Sequence, residues 1–428
     1  MRGAGPGSGV GGQGERHLHR PARPGAGARP GSGPVLNNGA SGFGSRRVVA
    51  ASVGHFVHDV FTAFLPPLMP LLIAKFSLNM VQAGLLSVFL SLVFFLNPLL
   101  GILADRRDLR YAFIAAPALV GVCMGLMGAM PSYYLVCALL LVAGAGSAVY
   151  HTLGPVVITR ASGRLVGRGM SYFFTGGELA RTLGPLAAVG AVAWLGFEHL
   201  WPMLLLGLAT SAYLLLVFKD TNTALGAGSG RDPESLRVVW RALKAVMLPL
   251  VGLVFTRSFV LWTLMIYTPT YLVSRGHSVS FGGTGLAVME MAGVAGAFLG
   301  GLASDRWGRR PVLLALLLVS PLLMLAFNYS SGWLLWPVLV VLGLSVFSSS
   351  PVLLAMVQDH AAGRRGAANG LYMGMGFAVS SLVLVLVGWL VDLVGFRAAF
   401  NISAVMGLLS VPFALRLPAQ APAAPTAP

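Results

Sequence analysis

Long apolar stretches, separated by short polar segments, make up most of the chain. A helix needs about 20 apolar residues to cross a hydrocarbon core about 30 Å thick. Because lipid cannot satisfy backbone polar groups, each stretch is predicted to be a helix. The predicted spans are 48–74, 82–104, 111–130, 133–158, 167–195, 199–218, 245–273, 282–303, 311–329, 333–357, 366–392 and 397–416.

The composition and charge agree with a membrane protein. Only 10% of the residues are charged, against about 25% in a soluble domain. The net charge of +16 would suggest nucleic-acid binding in a soluble protein, but the basic residues cluster in alternate loops. The clusters lie before Val48 and at 106–110, 160–168, 219–244, 306–310 and 364–365. The positive-inside rule therefore predicts cytoplasmic termini and an even number of spans.

The segments outside the spans predict the domain organisation. Residues 1–47 are rich in Gly, Pro and Arg and are predicted to form a disordered basic tail, with a second disordered tail at 417–428. The segment 219–244 is predicted to be a flexible cytoplasmic linker between the halves 48–218 and 245–416.

Motifs for cofactors and metals are weak. Gly9–Gly14 (GVGGQG) fits a dinucleotide-binding pattern, but no predicted strand precedes it and no helix follows. Cys123 and Cys137 lie in apolar helices without a ligand set, so neither a disulfide nor a metal site is predicted. We therefore expect no cofactor, with a proton gradient as the energy source. There is no P-loop, H-E-x-x-H or G-x-S-x-G in a suitable context, so the sequence does not predict an enzyme.

The two halves share a repeat. Gly101–Arg110 (GILADRRDLR) recurs 200 residues later as Gly301–Arg310 (GLASDRWGRR). A parallel repeat of six spans is typical of one class of secondary transporter, whose substrate site lies between the halves near the midplane.

This loop resembles the signature G-x-x-x-D-R-x-G-R-R of the major facilitator superfamily. The second copy supplies Gly301, Asp305, Arg306, Gly308, Arg309 and Arg310. The first supplies Gly101, Asp105 and Arg106, and has Asp108 where the pattern has glycine. The resemblance implies an all-α fold of twelve transmembrane helices in two pseudo-symmetric six-helix halves. It also implies that these loops gate the cytoplasmic side.

Three further segments resemble the fosmidomycin-resistance type of exporter. They are Gly54–Pro70 (GHFVHDVFTAFLPPLMP), Gly146–His151 (GSAVYH) and Gly176–Gly190 (GGELARTLGPLAAVG). The last contains Gly184 and Pro185, which resemble the Gly-Pro motif in the fifth helix of antiporters. The resemblance implies drug efflux across the inner membrane of a bacterium.

Ionisable residues within the spans are the candidate functional residues, because each costs about 2.5–3.5 kcal/mol at a helix centre. His55, His58, Asp59 and Thr62 follow the spacing i, i+3, i+4 and i+7, which places them on one helix face. This face is predicted to be a protonatable site, in which Asp59 carries the proton and His58 tunes it. The alternative is a static polar patch that holds the helix against a neighbour.

Glu178 and Arg181 lie three residues apart and can pair directly. The pair is either structural or switchable. In the switchable case, protonation of Glu178 frees Arg181 for an anionic ligand. Arg257 is predicted to clamp a phosphonate or carboxylate; the alternative is that it pairs with Glu290 or a backbone carbonyl group.

Further predicted substrate-binding residues, on the wall of the cavity, are Tyr150, His151, His55 and Glu290. Glu290 also lies next to a small-residue surface suited to close helix packing, so it has a structural alternative. Across the set, three carboxylates and two arginines would leave one net negative charge, which a single proton would neutralise.

The sequence therefore predicts a proton-coupled exporter of a small amphipathic or anionic compound, working by alternating access. The nearest alternative is a proton-coupled symporter that imports an organic anion. An alternative of another class is a non-transporting membrane receptor or assembly factor. The expected partners are the substrate, protons and the lipid bilayer, with no nucleic acid, and the protein is expected to be a monomer.

Overall fold

The computed structural model describes residues 43–97, 99–100, 103, 107–163, 165–221, 236–359 and 365–417, together with Gly3, Gly5, Gly7 and Gly9. At 236–247 and 365–371 it describes only the backbone. Most of the predicted tails and of the linker 219–244 therefore lies outside the described residues. The described chain is almost entirely helical.

Within its described residues, the first half contains seven α-helices with defined bounds. The first begins at Ser45, three residues before the predicted span. The helices are α1 (Ser45–Thr62), α2 (Leu65–Phe76), α3 (Met80–Ser91), α4 (Arg110–Leu126), α5 (Tyr133–Ala161), α6 (Val166–Leu195) and α7 (Leu204–Phe218). Pro66 and Pro67, in the first turn of α2, explain why the first predicted span consists of two helices.

The second half repeats this order. Its helices are α8 (Leu236–Ser274), α9 (Val279–Trp307), α10 (Arg309–Tyr329), α11 (Leu335–Asp359), α12 (Arg365–Leu408) and α13 (Ser410–Leu415). Gly395 interrupts α12 with φ +77° and ψ +166°, between the predicted spans 366–392 and 397–416. Gly196, at the end of α6, has nearly the same backbone, with φ +81° and ψ +154°. The repeat therefore extends to this glycine turn, which needs a residue without a Cβ atom.

The protein is a polytopic all-α membrane protein. Among the described residues, nine helical segments are long and apolar enough to cross a membrane. The last of them, Tyr372–Leu415, contains the interruption at Gly395 and so covers two predicted spans. Met80–Leu96 is a shorter apolar helix, and α6 carries three charged residues, Arg168, Glu178 and Arg181. The total of twelve spans stays a prediction.

Close packing between α9 and α11 depends on the predicted small-residue surface. A Cβ atom at Gly296 would lie 2.2 Å from the carbonyl oxygen of Leu344, so only glycine fits there. Gly293 and Gly300 also face α11. This packing fixes the α9 backbone and with it the position of Glu290, one turn away on the same helix.

The two halves contact each other at the end of the bundle where α3 begins, which we call the Asn79 end. The backbone N–H groups of Met80 and Val81 donate to the two carboxylate oxygens of Asp392 at 2.7 and 3.0 Å. The hydroxyl of Tyr267 donates to the carbonyl oxygens of Met80 and Leu384. A carboxylate from α12 therefore caps a helix of the opposite half.

Candidate functional site

A cavity of about 330 Å³ lies between the two halves. Asp59, His151 and Arg181 line it from the first half, and Trp262, Glu290 and Phe377 line it from the second. Phe94 of the first half stacks on Phe377 with ring centroids 5.0 Å apart, which joins the two walls. The cavity thus lies between the halves, where the repeat predicts a substrate site.

Asp59 is surrounded by three histidines. Its Oδ1 lies 2.7 Å from His58 Nδ1 and 3.2 Å from His151 Nε2, and its Oδ2 lies 3.2 Å from His55 Nε2. His55 and His58 belong to the same helix, as the spacing predicts, whereas His151 comes from α5. The His151 side chain is 33% exposed, while those of His55 and His58 are buried, so His151 connects Asp59 to the cavity.

The hydrogen bonds of His55 determine how the cluster can hold a proton. Its Nδ1 is hydrogen-bonded to the carbonyl oxygen of Phe173 at 2.8 Å. Because a carbonyl oxygen can only accept, Nδ1 must be the donor and carries a hydrogen. The buried Nε2 then faces Asp59 and either accepts a proton from the acid or donates one to the carboxylate. The cluster is therefore built so that a proton can move between an acid and a base.

Tyr150 and His55 are not among the described residues that line the two cavities in this conformation, so their predicted role in substrate binding stays a prediction. Tyr150 is fully buried, and its hydroxyl donates to the carbonyl oxygen of Ala51 at 2.7 Å. Its ring lies between Phe113 and His58, stacked on both. In this conformation Tyr150 positions His58, and His55 positions Asp59.

The cluster also has the donor types of a metal site. His55, Asp59 and His151 offer ligand atoms within 4.8 Å of one another, the one such group among the described residues. However, Asp59 Oδ1 is already shared by His58 and His151. Contacts at ion-pair distance account for this arrangement without an ion, and the expectation that no metal binds stays a prediction.

Glu178 and Arg181 form the predicted ion pair on α6. Both side chains are about half-exposed, and Arg181 reaches the cavity wall. Glu290 lines the same cavity from α9, is only 6% exposed, and its Oε2 has no hydrogen-bond partner among the described residues. The structure therefore places Glu290 as a cavity carboxylate, and the predicted structural hydrogen bond is not observed.

Arg257 lies on α8 in the wall of a second cavity of about 180 Å³. This cavity adjoins the first and shares Trp262, Phe377 and Ser380 with it. The Nη1 group of Arg257 donates to Ser349 Oγ at 2.9 Å, and Nε has no partner within the described part of the chain. The alternative partners, Glu290 and a backbone carbonyl, are not observed.

The second signature loop has the geometry that its residues predict. Gly308 adopts φ +91°, and Arg309 bridges Asp305 at 2.5 Å and Asp359 at 3.2 Å. Arg310 donates to the carbonyl oxygen of Leu415, and Arg306 lies over the ring of Trp307. These contacts all lie within the second half, and among the described residues none joins the loop to the first half. The gating role stays a prediction.

The first copy differs. Gly101, Asp105 and Arg106 lie outside the described residues. Asp108, which replaces the turn glycine, does not have a positive φ; its carboxylate accepts from the backbone N–H of Arg110 at 3.1 Å.

The Gly184-Pro185 motif is within α6, where a Cβ atom at Gly184 would meet Ala63 beyond the end of α1 at 2.5 Å. The motif thus allows close packing of α6 on the helix that carries Asp59.

Sequence reasoning missed the aromatic wall and the Asp392 contact. It concentrated on ionisable residues inside spans, whereas Trp262 and Phe377 are apolar and Asp392 lies at a predicted span end. A tryptophan within five residues of an arginine on a polar helix was the available signal for Trp262.

The fold and the cavity between repeated halves define a membrane transport protein. The family model described as Major Facilitator Superfamily matches residues 51–383 and 283–428. The chain belongs to that superfamily, and it is a transport protein rather than an enzyme.

Curated relatives and solved structures are consistent with this family. The chain is 26% identical over 378 residues to an uncharacterized MFS-type transporter, YfnC, of Bacillus subtilis (strain 168), covering 85% of this chain and 91% of that protein. It is 25% identical over 374 residues to the fosmidomycin resistance protein of Escherichia coli (strain K12), covering 85% and 90%. The crystal structure of the nucleoside transporter NupG matches 87% of this chain and 98% of its own, with TM-score 0.70 and 12% identity, which shows the fold alone.

Proposed function

We propose that the protein is a proton-coupled exporter of a small amphipathic or anionic compound, working by alternating access. The observation that carries the proposal is the Asp59 cluster, an acid in contact with three histidines on the wall of a cavity between the halves. Such a buried acid–base cluster in a span needs a function, because an unused charge there is costly.

Asp59 is the main proton carrier in this proposal. His58 Nδ1, at 2.7 Å, tunes it, and His151 relays the proton to the cavity. Protonation removes the charge of the carboxylate, which changes the contacts that hold the first half and so favours one orientation of the halves. Glu178 is the second carrier, and its protonation would release Arg181 to the cavity.

The direction of transport rests on resemblance. Similarity to the fosmidomycin resistance protein and the Gly184-Pro185 motif support efflux, and with it drug resistance. The alternative is a symporter that imports an organic anion. Arg257, which has no ion-pair partner among the described residues, would serve it equally well. The same residues can act in either direction.

The test uses proteoliposomes with a pH-sensitive dye inside, and fosmidomycin as the first substrate. We expect substrate addition to drive proton movement opposite to substrate movement in the wild type, and Asp59→Asn to abolish it. Glu198→Gln is the matched control, because Glu198 is an exposed carboxylate paired with Lys75, far from the cavity. Proton and substrate movement in the same direction would establish the symporter, and full coupling in Asp59→Asn would remove Asp59 from the mechanism.

We also propose that the protein is a monomer in the inner membrane of a bacterium, with both termini in the cytoplasm. The loop distribution of basic residues supports the orientation, and the bacterial relatives support the location. A C-terminal fusion to a reporter that is active only outside the cytoplasm tests the topology. Reporter activity would show that the C-terminus lies outside the cytoplasm and would contradict the proposed orientation.

A further inference from the structure

Among the described residues, Arg257 is a cation without a counter-charge. No carboxylate lies within ion-pair distance of it among the described residues, in contrast to Arg181. Its described partner, Ser349, is neutral and satisfies one of its five N–H groups. A charge inside a span that is not paired carries a large desolvation cost, so the site is incomplete until an anion arrives.

The cavity around Arg257 limits the form of that anion. Its wall contains the aromatic rings of Trp262, Tyr372 and Phe377, with Val254 and Leu261 beside them. Such a surface favours a flat apolar body and gains little from a sugar-like or strongly hydrated molecule. The volume of about 180 Å³, continuous with the larger cavity, suits a single ring next to the guanidinium group.

The charge balance limits the ligand further. Arg181, the other arginine on the cavity wall, is already neutralised by Glu178, and Glu290 contributes a carboxylate without a partner. Among the described residues that line the two cavities, Arg257 is the one arginine without a paired carboxylate, and it matches one negative charge on a ligand. A second negative charge on the ligand would find no further unpaired cation among the described residues of the Arg257 cavity, so a dianion is disfavoured.

We propose that Arg257, Trp262, Tyr372 and Phe377 form a binding subsite for an aromatic monocarboxylate, with the carboxylate on Arg257 and the ring on the aromatic wall. This proposal names a substrate class for the proposed function. It rests on the proposed function only in taking the bound ligand to be the transported compound. The subsite itself requires no proton gradient.

The test measures binding to purified full-length protein in lipid nanodiscs by calorimetry, without a gradient. The probes are benzoate, its neutral analogue benzamide, and phenylphosphonate as a dianion. We expect benzoate to bind at least about tenfold more tightly than either of the others, because benzamide leaves the guanidinium unpaired. Arg257→Gln should lose at least about tenfold in benzoate affinity and Arg257→Lys should recover part of it. Arg397→Gln, an arginine over the ring of Tyr329 and outside both cavities, is the matched control.

Thermal stability separates a ligand-binding arginine from a structural one. If Arg257 serves a ligand, Arg257→Gln melts no lower than the wild type without ligand, because an unpaired charge has been removed. The stabilisation by benzoate should then disappear. A clear loss of stability without ligand, or equal binding of benzoate and benzamide, would overturn the proposal. Absence of benzoate binding to folded wild type would also overturn it, while proton coupling with fosmidomycin in proteoliposomes would leave the proposed function intact.

Discussion

The two walls of the central cavity treat their charges differently. In the first half, Asp59 contacts three histidines and Arg181 is paired with Glu178. In the second half, neither Arg257 nor Glu290 has an ion-pair partner in the described structure, and Arg257 Nε and Glu290 Oε2 are buried atoms without a hydrogen-bond partner there. A wall with paired groups can keep and exchange a proton by itself. A wall with unpaired groups is complete only with a ligand or another conformation.

The internal repeat shows that this difference is not a requirement of the scaffold. Ser258 and Phe259 are at the positions that correspond to His58 and Asp59. Ala378 and Ser381 correspond to Glu178 and Arg181. Both halves form the same helices without the same charges, so the charges serve a role that belongs to one half. We infer a division of labour, with proton handling in the first wall and anion recognition in the second.

The largest predicted effect of this difference is on the free energy of unfolding. Asp59→Asn should lower the free energy of unfolding by about 2–3 kcal/mol, because charged hydrogen bonds to buried histidines are lost. Glu290→Gln should not lower it, because a neutral amide costs less to bury than a carboxylate without a partner. The measurement is thermal melting of both variants in one detergent. Equal destabilisation by the two substitutions would contradict the difference between the walls.

A single substitution should leave an arginine of the first wall unpaired, as in the second wall. Glu178→Gln leaves Arg181 unpaired on the cavity surface, as Arg257 already is. A second free cation should tighten the binding of phenylphosphonate by about tenfold, since the dianion then meets two arginines. Calorimetry on purified protein measures the change.

Glu198→Gln is again the control, because it also removes a carboxylate from an ion pair, but outside the cavity. We expect it to leave phenylphosphonate affinity unchanged. If Glu178→Gln behaves in the same way as this control, Arg181 does not reach the ligand, and the pair is structural.

Local features of the site could be predicted from the sequence, and features that depend on tertiary packing could not. The shared face of His55, His58 and Asp59 and the pair Glu178–Arg181 follow from helical spacing. The spans and the Gly308 turn follow from hydropathy and the lack of a side chain. Each of these predictions depends on one helix or turn at a time.

The roles of Tyr150 and His151 show the limit. They are neighbours on α5, yet Tyr150 is fully buried and the side chain of His151 is 33% exposed at the cavity. The rotation of α5 about its axis decides between them, and that rotation is set by packing on other helices rather than by local sequence. The lack of a described carboxylate next to Arg257 likewise depends on what α11 places opposite it, which is the neutral Ser349.

The smallest predicted effect concerns the contact that joins the two halves. Asp392 receives hydrogen bonds from the backbone of Met80 and Val81 across the interface. Asp392→Asn keeps the size of the side chain but removes its charge from a helix N-terminus, which costs about 1 kcal/mol. The equilibrium between orientations of the halves should then shift about fivefold towards opening at the Asn79 end.

A cysteine at Ser147, on the cavity wall, reports this shift through its rate of labelling by a membrane-impermeant thiol reagent added at the Asn79 end. The control is Asn79→Ala, because Asn79 caps the same helix from within its own half, accepting from the backbone of Gln82 at 2.8 Å. Asn79→Ala should destabilise α3 without raising the labelling rate as Asp392→Asn does. If both substitutions raise the labelling rate equally, the effect comes from fraying of α3. In that case the Asp392 contact does not hold the two halves together at this end. If only Asp392→Asn raises it, the paired and unpaired walls move as two bodies joined at this carboxylate.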